Sequence, residues 1–222
     1  MKTLGFITST KENESRRAIL PEDLIRVKNK EFIYLEEGYG KDFHIEDTQY
    51  EQLGCKVLSR EQILTKDIII DPKIGDAEYL TKLSHQTIFG WIHAVQNRDI
   101  TDKLINAKLT AYAWEDMFED GRHVFWHNNE MAGEAAIMNA FHCYGKMPYN
   151  LKIAVIGKGN VARGAMKILT LLGADIVVFD RKTEKLFQKE LEQFDVVVNA
   201  LLWDTTRKDH IIYEKDLKRM KK

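Results

Sequence analysis

Short runs of β-branched and aromatic residues alternate along the chain with longer stretches whose apolar positions recur every three or four residues. Residues 4–7 (Leu-Gly-Phe-Ile) read as a strand. Pro21 then opens a helix where its missing N–H costs nothing, and Glu22 and Asp23 complement the positive helix end. Residues 32–35 form the next strand. Asp47-Thr48 caps a helix that stops at Gly54, and residues 56–58 and 67–70 are strands. A helix is predicted over 74–83, a strand over 87–92, a helix over 99–107 and extended chain over 109–114. Strands alternating with helices predict parallel pairing and an α/β fold.

From 129 to 144 the spacing becomes helical over a longer span. Met131, Ala135, Met138 and Cys143, with Phe141 between them, form its apolar face, and Asn128 or Asn129 supplies the cap. A turn at 145–150 marks a boundary, and a new strand begins at Leu151. The expected organisation is an α/β substrate or catalytic domain over 1–128, a linking helix and turn over 129–149, and a dinucleotide-binding domain over 150–222.

The second domain takes that name from its opening loop. The strand 151–156 runs into Gly157-Lys158-Gly159-Asn160-Val161-Ala162, a helix follows to Gly173, and the strand 175–179 ends on Asp180. This is G-x-G-x-x-A in a strand–turn–helix setting. The first glycine permits the tight turn, the second lets the backbone approach a pyrophosphate, and Ala162 lets helix and strand pack closely. Gly157, Gly159, Asn160, Val161 and Ala162 are therefore the candidate cofactor-binding residues, with amide groups and the helix dipole on the phosphates. Asp180, 23 positions after the first glycine, is placed for the ribose hydroxyls. Its carboxylate argues for NAD(H), whereas Arg181 and Lys182 can neutralise the 2′-phosphate of NADP(H).

Composition narrows the class further. In 222 residues, 44% hydrophobic, 33 basic side chains meet 34 acidic ones. A chain of this kind buries a core and shows neither a disordered tract nor the basic stripe of a nucleic-acid binder. Cys55 and Cys143 lack a C-x-x-C partner and are expected as small buried apolar residues in a reducing compartment. The N-terminus turns polar too soon for a signal peptide, and no apolar run approaches a membrane helix, so a cytoplasmic protein is expected. His123 and His127 would share a face in a strand, but no third ligand stands at a zinc spacing and no metal is expected.

The run Asn13-Glu14-Ser15-Arg16-Arg17-Ala18-Ile19-Leu20-Pro21 resembles the opening motif of the alanine dehydrogenase and transhydrogenase superfamily, which also contains saccharopine dehydrogenases. Asp71-Pro72-Lys73, Phe89-Gly90-Trp91-Ile92-His93-Ala94, the helix start Asn129-Glu130-Met131-Ala132-Gly133 and the Gly157 loop continue the resemblance in the same order. Residues 113–117 and 159–165 are most similar to the N5-(carboxyethyl)ornithine synthase group within it. The resemblance implies two Rossmann-like domains and an oxidoreductase acting on C–N bonds, condensing a 2-oxo acid with an amino acid's side-chain amine and reducing the imine. It implies Lys73 as a substrate-binding and catalytic lysine and His93 as the catalytic histidine. Arg16 suits a two-pronged grip on the substrate carboxylate, while Arg17 beside it is expected in solvent. Glu115, with Asp116, either lines the pocket of the cationic amine or is a plain loop acid.

NADP(H) is favoured as cofactor with NAD(H) as the alternative, and a homo-oligomer is expected. Alanine- or saccharopine-dehydrogenase-like chemistry, and a dinucleotide-binding protein without turnover, stand as alternatives. A complete dinucleotide half carries further parallel strands beyond 196–202 and the helix expected at 213–220. The second domain is thus expected to be incomplete, with an unpaired edge at 196–198 and weak catalysis unless a partner covers it.

Overall fold

The computed structural model describes residues 1–204 and 206–220. They fall into two compact units, Met1–Val124 and Phe125–Lys222.

The first unit is built on six parallel strands: β1 (Leu4–Phe6), β2 (Ile33–Glu36), β3 (Lys56–Leu58), β4 (Ile68–Ile70), β5 (Thr87–Gly90) and β6 (Thr110–Ala113). They lie in the order β3-β2-β1-β4-β5-β6, with Leu4 in register with Ile33 on one side and Ile68 on the other. This is the doubly wound order, and the chain reverses direction across the sheet at β1 and β4. Helices α1 (Pro21–Leu24), α2 (Asp47–Gln52), α3 (Arg60–Ile63) and α4 (Arg98–Asn106) make the connections. The core collects Ile7, Ile63, Ile69, Ile88, Ile92 and Leu104. A small antiparallel ribbon, β7 (Phe118–Glu119) and β8 (Arg122–His123), closes the unit through Asp120 and Gly121, both at positive φ as a two-residue hairpin requires.

The second unit starts with α5 (Trp126–Tyr144) and centres on β9 (Lys152–Ile156). Helix α6 (Asn160–Leu171) leads to β10 (Asp175–Phe179), and α7 (Glu184–Glu190) to β11 (Val196–Asn199); α8 (Glu214–Leu217) follows. The three strands are parallel in the order β10-β9-β11. β9 is buried on both faces, as the centre of a parallel sheet demands. Ile153 and Val155 join Ile137, Phe141, Ala165 and Leu169 on one side, and Ala154 and Ile156 join Phe179, Phe187 and Phe194 on the other.

Several local expectations are corrected. The helix expected over 74–83 is two short 3₁₀ turns, Ile74–Asp76 and Glu78–Lys82, separated by extended Ala77. Tertiary contacts override the helical pattern there, because Gly75 abuts the Ile92 carbonyl and the Tyr79 hydroxyl donates to Asp71 at 2.6 Å. Asp47 is not the cap of α2; it accepts the Gly38 N–H instead. Helix α5 begins at Trp126, so neither Asn128 nor Asn129 caps it. Its buried stripe is Gly133, Ile137 and Phe141, while Met131, Met138 and Cys143 are exposed. Cys143 is therefore not the buried residue expected, although Cys55 is. The helix expected over 213–220 is a single turn. Among the described residues no helix is long and apolar enough to cross a membrane.

Candidate functional site

Two glycines let the loops after β4 and β5 lie against each other. A Cβ on Gly90 would stand 2.0 Å from the Asp71 carbonyl oxygen, and one on Gly75 would stand 1.9 Å from that of Ile92. The contact between the strands continues past their ends, with the Trp91 N–H on the Pro72 carbonyl and the Gly75 N–H on the Trp91 carbonyl. Asp71 is fully buried at the root of the first loop, accepting from the Tyr79 hydroxyl and from the Lys73 N–H at 2.8 Å. Burial pushes its carboxyl pKa up, and these two donors pull against that rise.

Lys73 and His93 thus emerge side by side at the C-terminal ends of neighbouring strands, where open α/β sheets hold their ligands. Lys73 Nζ lies 3.4 Å from His93 Nε2. His93 takes a left-handed backbone (φ 59°) that few L-residues adopt. Glu115, in the turn after β6, pins that conformation by accepting the Ile92 N–H at 3.1 Å and the His93 N–H at 2.5 Å. Of the two readings of Glu115, the geometry gives it a third task, since its carboxylate positions the histidine loop. The Trp91 ring stacks on the imidazole with 14° between planes, which fixes the side chain from the flank.

Arg16 holds Glu14 through Nε at 2.8 Å and Nη2 at 2.5 Å. That grip lowers the Glu14 pKa below the usual carboxylate range, and the Lys73 ammonium adds to the effect. The arginine fork, its carboxylate and Lys73 therefore share one electrostatic neighbourhood. Arg17 departs from expectation. Its side chain is 2% exposed and donates to the backbone carbonyls of Ser15, Arg16 and Tyr39 and to Asp42 at 2.8 Å. A guanidinium has five donors in a planar fork, enough to tie the loop before α1 to the turn after β2. Arg17→Ala strands those carbonyls and is expected to lower stability by about 2 kcal/mol. Urea denaturation checks it, as a lower midpoint at unchanged slope.

In the second unit the glycine loop joins β9 to α6. Gly157 has φ 122°, and a Cβ there would come within 2.6 Å of the Ala200 carbonyl oxygen. Nothing lies within 4 Å of the Cβ position of Gly159. The loop is thus closed on the sheet side and open at the start of α6, where the first helical N–H groups have no intrahelical acceptor. That cradle fits a pyrophosphate, with Gly157, Gly159, Asn160, Val161 and Ala162 around it. Asp180 ends β10. Its Oδ2 lies 2.6 Å from Lys158 Nζ, and its Oδ1 accepts the Lys182 N–H at 2.9 Å and the Thr183 N–H at 3.2 Å. The Lys158 contact, first among these, holds the Asp180 pKa at about 2. Arg181 follows on an exposed turn.

His123 and His127 do not share a strand. His123 ends β8 with Nε2 3.0 Å from the Trp114 carbonyl oxygen, whereas His127 is in α5. Among the described residues no group of three or more His, Cys, Asp or Glu is arranged to hold a metal. Glu130 and Glu134 pair with Arg163 at 3.2 Å and Lys167 at 2.6 Å on α6. The residues that sequence reasoning passed over are Glu14, Asp71, Tyr79 and Lys158. For Lys158 a signal was present: a base between the two glycines with an acid 22 positions on.

Known proteins share this chain's sequence and fold. The family model described as "Alanine dehydrogenase/PNT, N-terminal domain" matches residues 6–132. An N(5)-(carboxyethyl)ornithine synthase of Clostridium botulinum is 31% identical over 99% of this chain and 74% of its own length. An alanine dehydrogenase of Mycobacterium tuberculosis is 27% identical over 85% of this chain and 56% of its own. The crystal structure of a transhydrogenase from Sinorhizobium meliloti superposes with a TM-score of 0.78 at 20% identity, over 99% of this chain and 75% of that one. Together with two Rossmann-like sheets, these likenesses identify the chain as an oxidoreductase of the alanine dehydrogenase/PNT family.

Proposed function

We propose that the chain catalyses reductive C–N bond formation between a 2-oxo acid such as pyruvate and the side-chain amine of ornithine or lysine, with NADPH as reductant. The reaction class rests on one observation, the Lys73–His93 pair at adjoining strand ends with His93 held in a left-handed turn by Glu115. The choice of member rests on the likeness to carboxyethylornithine synthase, which is higher and longer than that to alanine dehydrogenase.

The chemistry asks for a sequence of proton movements. The amine nitrogen attacks the carbonyl carbon of the oxo acid and forms the C–N bond, and the carbonyl oxygen gains protons and leaves as water. Lys73, as an ammonium, polarises that oxygen or holds the neighbouring carboxylate. His93, with Nε2 beside Lys73, takes the proton from the attacking amine and returns one to the departing hydroxyl, work suited to an imidazole at neutral pH. Arg16 meets the oxo-acid carboxylate by exchanging it for Glu14, one carboxylate for another on the same fork. The Gly157 N–H is spent on the Phe179 carbonyl, so the dinucleotide phosphates would be held by the amides of Gly159, Asn160, Val161 and Ala162, with Asp180 and Arg181 near the ribose. When bound, it supplies hydride to the carbon that carries the new nitrogen.

Alanine-dehydrogenase-like chemistry is the second reading, favoured by the 27% identity to that enzyme. Ammonia there replaces the side-chain amine. NADPH oxidation with pyruvate and ornithine, lysine or ammonia in parallel separates the two. Ornithine or lysine is expected to support turnover and ammonia to give little. Turnover with ammonia alone would replace the first reading by the second.

A further inference from the structure

We infer that Lys158 is the residue that commits this site to a 2′-phosphorylated ribose, by neutralising Asp180. The inference rests on the dinucleotide reading above and concerns which ribose it prefers. An acid at the end of the second strand ordinarily takes the ribose hydroxyls and repels a 2′-phosphate. Asp180 stands at that place, but its carboxylate is already engaged. Lys158 Nζ holds Oδ2 at 2.6 Å, and Oδ1 serves the turn formed by the Lys182 and Thr183 N–H groups and the Thr183 hydroxyl.

Lys158 stands between the two loop glycines, so its side chain spans from the phosphate cradle to the ribose end. An ammonium has three N–H donors. One is on Asp180, and the others remain directed at the surface, where the Lys158 side chain is 63% exposed. The local charge follows from the same residues. Lys158, Arg181 and Lys182 stand against Asp180 and Asp204, while the nearby Glu184 is held by Arg207, so the cations outnumber the acids left to them at the ribose end. A phosphate dianion arriving there meets a masked carboxylate and a cation already oriented towards it. A ribose diol meets a carboxylate with Oδ1 filled by the turn and Oδ2 shared with an ammonium, and gains correspondingly less than from an unpaired acid.

The test is a cycle of Kd values for NADPH and NADH, read by nicotinamide fluorescence on the full chain. The proteins are the wild type, Lys158→Met, Asp180→Asn and the double variant. Wild type is expected to prefer NADPH. Lys158→Met is expected to reduce that preference on the order of tenfold, the size of one charge-assisted phosphate contact, by weakening NADPH with little change in NADH. Adding Asp180→Asn to Lys158→Met is expected to recover much of the NADPH affinity, because the unmasked charge is removed. A purely structural role for Lys158 does not give that recovery. Equal weakening of both dinucleotides by Lys158→Met, or a wild type that prefers NADH, overturns the inference and leaves dinucleotide binding standing. Failure of the wild type to bind either dinucleotide overturns both.

Discussion

His93→Asn is expected to lower turnover of pyruvate with its amine partner by at least about a hundredfold, the usual range for removing a general acid–base group. NADPH affinity should stay within experimental error of wild type, because the glycine loop belongs to the other unit. Asparagine is chosen for a conformational reason. His93 sits at φ 59°, a region that Asn tolerates and most other residues enter only at a cost of about 1 kcal/mol. The substitution therefore keeps the backbone that Glu115 holds through the Ile92 and His93 N–H groups. What it removes is the imidazole beside Lys73. His93→Ala removes the same ring and adds strain, so a larger loss there and unchanged stability in the Asn variant would separate proton transfer from folding. Steady-state kcat/KM and NADPH titration on the same preparations decide the matter. Activity within tenfold of wild type in His93→Asn would take His93 out of the chemistry.

Much of the layout that positions this site could be read from residue patterns. The strands of the first unit announce themselves through β-branched runs such as Ile68-Ile69-Ile70, and their alternation with helices is enough to predict parallel pairing. The glycine loop is legible because its spacing encodes backbone geometry, which Gly157 at φ 122° bears out. Where patterns failed, the deciding contact lies far away in the chain. Arg17 looks like a surface charge beside Arg16 until Tyr39, 22 residues on, supplies its carbonyl. The interrupted segment at 74–83 follows from Asp71, Tyr79 and the Ile92 carbonyl, which no helical period reports. For Glu115 the sequence leaves pocket acid and loop acid equally open, because its partners are backbone amides 22 and 23 positions earlier.

Helix α5 departs from its hydrophobic pattern for a related reason: such a pattern gives weight to large side chains, and here the deepest contact is made by having none. Gly133 lies over Val161, so that a Cβ would stand 2.0 Å from its carbonyl oxygen, and Gly164 lies over Glu130, with a Cβ 1.9 Å from that carbonyl oxygen. Both obstacles are backbone atoms, which cannot swing aside as a flexible side chain would. In an ordinary exposed helix, Gly→Ala stabilises by about 1 kcal/mol. For Gly164→Ala the opposite sign is expected, a loss of about 3 kcal/mol as the two helices are forced apart. Asn139→Ala, at an exposed position of α5, serves as the control and should change stability by no more than a few tenths, about the difference in helix propensity. Urea denaturation followed by circular dichroism measures both. The effect should reach the cofactor as well, because α6 carries Asn160, Val161 and Ala162 at its N-terminus and cannot shift without moving them. Gly164→Ala is thus expected to weaken NADPH binding even under conditions where the variant is fully folded. A variant as stable as wild type, with unchanged NADPH affinity, would show that the helices do not cross at these glycines.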